Sequence, residues 1–176
     1  MLPFLLAAGC GGTFVAVSVP TIAESDGWSA SGHVVKGPGI DIALYPVNGA
    51  YAPPSASDMN RKFAIRMMIG GDDIASYALD PERIRLMISH DESTTFAKVY
   101  HRLGTSGWIT SDKEVKIPTS LSEKTRWFEL RFDIEPLTPE TQFALLIDGL
   151  TKANGSFKVP KIVFRKGMEH MRAGFI

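Results

Sequence analysis

Trp127-Phe128-Glu129-Leu130-Arg131-Phe132-Asp133-Ile134 alternates without a break. In an extended chain successive side chains point to opposite faces, so Phe128, Leu130, Phe132 and Ile134 share one side. Glu129, Arg131 and Asp133 share the other. A helix would scatter the same apolar positions around its circumference. The segment is therefore predicted to be a strand with one buried and one wet face.

The same period of two recurs outward from this stretch. Phe63, Ile65, Met67 and Ile69 alternate with Lys62, Ala64 and Arg66, and Ile84, Leu86 and Ile88 with Arg83, Arg85 and Met87. Ile40, Ile42 and Leu44 make a shorter set. Weaker strands are predicted at residues 96–100, 115–117, 143–150 and 157–164. Asn154-Gly155 lies between the last two, and Asn-Gly accepts the positive φ angles of a tight hairpin turn. Asn48-Gly49, Gly70-Gly71-Asp72-Asp73 and the Pro-containing stretch 51–58 read as further turns and loops. Helical signals are limited to single turns at 120–124 and 168–172. Many short one-sided strands separated by turns predict an all-β antiparallel β-sandwich, immunoglobulin-like in architecture, with a small closed β-barrel as the alternative.

Composition narrows the function classes. The chain has 176 residues, enough for one domain with a sizeable core, and 44% of them are hydrophobic. Nineteen Lys and Arg balance nineteen Asp and Glu. An even charge balance lacks the electrostatic footprint of a nucleic-acid binder. The single cysteine excludes a disulfide framework, and with it the cysteine pair of antibody domains.

That cysteine has a telling position. No charged residue occurs before Glu24, and the apolar run of Leu2, Phe4, Leu5, Leu6, Ala7 and Ala8 ends at Gly9-Cys10. The run is too short to span a bilayer, which takes roughly twenty apolar residues. Leu6-Ala7-Ala8-Gly9-Cys10 resembles the lipobox of bacterial lipoproteins. The resemblance implies cleavage just before Cys10, a diacylglyceryl group on its thiol, and a membrane-anchored protein of the bacterial envelope. On this reading residues 1–23 are a leader and linker, and residues 24–176 are one sandwich domain. Two other readings of the same residues stay open. An ordinary signal is cleaved near Ala16-Val17-Ser18 or Thr21-Ile22-Ala23, or the apolar start is a first buried strand with Cys10 an inert core thiol.

Motifs for chemistry are sparse. Gly70-Gly71-Asp72-Asp73-Ile74 resembles the Gly-Gly-Asp-Glu-Phe signature of diguanylate cyclases, but departs from it at Asp73 and Ile74. The alternating helices of that fold are missing from its flanks, so a glycine turn between strands accounts for it. Ser89-His90-Asp91-Glu92, with His101 across a hairpin, is better read as a polar turn than as a metal site, and His33 and His170 match no ligand spacing. Local nucleophile and phosphate-loop patterns are missing as well, and no cofactor is implied. The basic excess of Lys158, Lys161, Arg165, Lys166 and Arg172 over Glu169 suits a solvated strand edge.

Aromatic residues are the remaining handle. Trp127 and Tyr45 each lie out of phase with the apolar face of their strands, so each is expected on the opposite, outer side. An outward aromatic marks a possible contact surface for an envelope protein or a glycan. The expected function is thus a non-enzymatic binding or assembly module held at a membrane. A carbohydrate- or ligand-binding domain, and an envelope enzyme whose residues meet only in three dimensions, are the alternatives.

Overall fold

The computed structural model of the chain describes residues 13–23, 27–47, 62–71, 76–88, 94–102, 108–111, 115–116, 125–153 and 155–171. Among them the strands follow in this order: β1 (Thr13–Ile22), β2 (Ser29–Ser31), β3 (Val34–Gly37), β4 (Ile40–Val47), β5 (Ala64–Gly70), β6 (Tyr77–Leu79), β7 (Ile84–Ile88) and β8 (Thr94–Phe96). They continue with β9 (Lys98–Arg102), β10 (Trp108–Ser111), β11 (Val115–Lys116), β12 (Thr125–Arg131), β13 (Phe143–Ile147), β14 (Leu150–Lys152), β15 (Gly155–Ser156) and β16 (Ile162–Met171). A 3-10 turn covers Pro81–Arg83. Among the described residues no helix is long and apolar enough to cross a membrane.

The strands form three antiparallel sheets. The seven-stranded sheet has the order β10-β9-β12-β5-β4-β3-β2, the five-stranded sheet β1-β16-β13-β7-β8, and the four-stranded sheet β11-β6-β14-β15. None closes into a barrel, and the architecture is the antiparallel sandwich that the alternation predicts. One core draws on all three sheets. Phe128, Leu130 and Phe132 are buried as expected, and Ile134 packs against the same core. Past the last paired residue of β12 the ladder with the β5 side persists, with Phe132 N donating to Phe63 O (2.9 Å) and Phe63 N to Ile134 O (3.0 Å).

Across the core the seven- and five-stranded sheets meet through rings. Phe63, leading into β5, meets Phe143 of β13 edge-on at 5.2 Å, and Phe143 stacks on Phe164 of β16 at 4.5 Å. The four-stranded sheet closes one end, where Tyr77 reaches the β3–β4 turn by donating to Pro38 O (3.3 Å). Two prolines sit inside strands at places that tolerate a missing N–H. Pro20 is on β1, an edge strand, and Pro46 lies beyond the residues of β4 that pair with β3.

Four local readings need correction, and three share a cause. Residues 96–100 are two strands in different sheets: Ala97 still donates to Ile84 O (3.0 Å), and the chain then crosses to the seven-stranded sheet. Residues 143–150 likewise divide at Asp148-Gly149, passing from the five- to the four-stranded sheet, and residues 157–161 carry no strand because the chain is crossing back. Apolar residues stay buried through such corners, so alternation shows the burial and not the change of sheet. The fourth is at the end of the chain. The helical turn expected at 168–172 is absent from Met168–Met171, which continue β16 and pair with Thr13–Ala16.

The hairpin at Asn154-Gly155 exists, but shifted by one residue. Gly155 already pairs with Lys152, and Ala153 carries the positive φ of 47°. At the other end of the chain, β1 brings residues 13–22 into the sandwich, a stretch assigned above to the leader and linker. It pairs with β16 along its whole length and buries Val17 and Ser18. Being uncharged, it merges in sequence with the apolar run before it. Cys10, the 51–58 loop, the 120–124 turn and the Ser89–Glu92 cluster lie outside the described residues.

Candidate functional site

Cross-strand register puts the two singled-out aromatics on one surface. Tyr45 of β4 pairs with Arg66 of β5, which pairs with Glu129 of β12; in the next row Trp127 pairs with Met68. Paired residues point to the same face of a sheet, so all of these share the side opposite the core. The Tyr45 and Trp127 rings lie 6.1 Å apart with 31° between their planes. His33, in the turn between β2 and β3, continues the row at 5.0 Å from Tyr45. Trp127 is 38% exposed, and Tyr45 is half-buried behind it.

Beside the rings lies a charged group that the sequence pattern did not single out. Glu129 is buried to 7% exposure although it belongs to the wet face. Two cations compensate it: Arg131 Nε donates to Oε1 at 2.6 Å, and Arg66 Nε lies 3.6 Å from Oε2. Both guanidiniums are about half exposed. One carboxylate between two arginines leaves the group with a net charge of +1. The signal was present in the sequence, since Glu129 and Arg131 follow Trp127 at strand spacing, but only the register of β5 brings Arg66 to them.

At its far side the row touches the other sheet. His33 Nε2 is 3.4 Å from Glu169 Oε2 on β16, and Nδ1 is 3.2 Å from Leu44 O. No spacing rule pointed to His33, because its partners are 11 and 136 residues away.

The glycine pair of the cyclase-like motif has a structural task. Gly71 has a φ of 145°, and a Cβ there would come within 2.5 Å of Gly39 O. Only glycine allows the chain to pass this close to the β3–β4 turn. Among the described residues no group of three or more His, Cys, Asp or Glu is placed to hold a metal ion.

This outer face presents an indole plane suited to stacking, with guanidinium donors held beside it by a buried carboxylate. No family model matches the chain, and neither does any curated protein or solved structure.

Proposed function

We propose that the chain is an exported bacterial lipoprotein, held at a membrane through Cys10, whose sandwich serves as a non-enzymatic binding module of the cell envelope. The observation that carries this reading is the outer face of the seven-stranded sheet. Trp127 stands exposed there, backed by Tyr45, when the indole had a buried core available on the other side of the same strand.

An envelope glycan is the ligand that best fits this chemistry. The C–H face of a sugar stacks on an indole, and its hydroxyls pair with guanidinium donors such as those of Arg66 and Arg131, which the buried Glu129 holds in place. The position of β1 supports the anchor. Cleavage just before Cys10 leaves Thr13–Ile22 whole, whereas cleavage near Ala16-Val17-Ser18 or Thr21-Ile22-Ala23 would remove half or all of a strand paired along its length with β16.

Two measurements test the two parts. Intact-mass analysis of membrane-fractionated wild-type protein is expected to show residues before Cys10 removed and a diacylglyceryl mass added, and Cys10→Ala is expected in the soluble fraction. Soluble, unmodified wild-type protein that retains those residues would refute the anchor. Sedimentation with purified peptidoglycan is expected to retain the wild-type sandwich and lose Trp127→Ala. Equal retention of both would remove this face from the reading, and binding of neither to peptidoglycan would turn the search to a protein partner.

A further inference from the structure

A second concave feature lies away from the aromatic face, between the edge strands β8 and β15. It is an open cleft of about 440 Å³, a volume within the range of pockets that enclose small molecules. Its lining includes three apolar residues, the buried Ile147 and Val159 and the half-buried Phe157. Phe96 stands at the rim and is 61% exposed. A phenyl ring that far into solvent at the end of a three-residue edge strand has little to gain from the fold.

The walls are charged and fixed. Arg85 of β7 is ion-paired with Asp148, which leaves Arg83, Lys158 and Glu82 as the other charges of the lining. Three cations and two carboxylates give the cleft a net charge of +1. The wall that carries Arg83 is held by backbone bonds: Asp148 N donates to Arg83 O (3.1 Å), and Asp80 N to Gly149 O (2.9 Å). Gly149 makes this junction possible, because a methyl group there would overlap the Asp80 carbonyl oxygen. The backbone that carries Arg83 is therefore held in place.

We propose that this cleft binds an anionic amphiphile: a molecule with one negative charge, set between Arg83 and Lys158, and an apolar or aromatic body lying over Phe157 and against Phe96. The net charge of +1 favours a single anionic group and disfavours cations. Phe157 and the exposed Phe96 ring supply the rest of the contact. This site is independent of the Trp127 face and does not rest on the glycan reading.

A matched pair of probes tests the proposal. 8-Anilinonaphthalene-1-sulfonate and N-phenyl-1-naphthylamine share a ring system, but only the first carries a charge. The sulfonate is expected to bind the full-length native protein at one saturable site, followed by its fluorescence. Lys158→Gln and Arg83→Gln should each weaken it about fivefold, the effect of losing one partly exposed charge contact, and leave the neutral probe unchanged. Phe96→Ala should weaken both probes. All three side chains are solvent-exposed, and far-UV circular dichroism checks that each variant keeps its strands. Charge variants that affect both probes equally, or neither, would overturn the proposal, as would loss of sulfonate binding in Trp127→Ala. Displacement of the probe by 1-naphthoate would assign a small aromatic acid, displacement by decanoate a fatty acid, and displacement by neither would refute the ligand class.

Discussion

If the seven- and five-stranded sheets face each other across one core, Phe63 and Phe143 must be energetically coupled. Phe63 enters β5 of the first sheet, and Phe143 opens β13 of the second. Their rings meet edge-on at 5.2 Å with 78° between planes. Such a contact contributes about 0.5–1.5 kcal/mol beyond the area that it buries. Phe63→Leu and Phe143→Leu should each cost about 1–3 kcal/mol, since both rings are buried and leucine fills only part of their volume. The double variant should cost about 1 kcal/mol less than the sum of the two. Urea unfolding followed by circular dichroism at constant m gives all four corners of the cycle, and in a domain of this size each kcal/mol lowers Tm by about 2–4 °C. Phe63 with Phe157 is the control. Phe157 packs on Trp28 and Tyr77 at the end closed by the four-stranded sheet, so that pair should be additive within about 0.5 kcal/mol. A Phe63–Phe143 coupling no larger than the control would refute the facing of these two sheets.

Three further outcomes follow from single positions. Gly149→Ala should destabilise the protein by about 2 kcal/mol or more in the same urea assay, because the methyl group forces apart the junction with Asp80; Gly155→Ala, where a Cβ would sit at ordinary contact distance, should change stability by less than about 1 kcal/mol. Glu129→Gln removes the carboxylate shared by Arg66 and Arg131 and should cost about 1–2 kcal/mol. The two arginines are half exposed, so that difference should shrink when the urea titration is repeated in 1 M salt. Trp127→Ala should lower stability by less than about 1.5 kcal/mol while removing retention on peptidoglycan, a separation that a core tryptophan would not show.

Strand periodicity carried the central strands almost to their ends. Phe128, Leu130 and Phe132 are buried in the predicted phase, and so are Ile65, Met67 and Ile69. The reason is physical: one face of each strand meets a single continuous core, and burial is what alternation records. Corners escaped for the complementary reason, since Ala97 and Gly149 stay covered while the chain changes sheets beside them. The outward placement of Trp127 and Tyr45 was legible from phase alone, but their adjacency was not, because the β4–β5–β12 register depends on loops that carry no periodic signal. Arg66, His33 and the cleft required contacts between residues distant in sequence. Lys158 illustrates the limit: in sequence it is one of several basic residues near the end, and in the fold it lines the same cleft as Arg83.

The pairing of β1 with β16 sets the order in which this chain can become a protein. The Thr21 hydroxyl donates to Val163 O across 142 residues (2.8 Å), and β16 also links β1 to β13. Until residues 162–171 are available, the first strand has no ladder to join and the five-stranded sheet lacks its connecting strand. Contacts of such long range make folding late and slow. Were the chain exported as proposed, β1 would cross without its partner, and the five-stranded sheet would be completed only once residues 162–171 had followed.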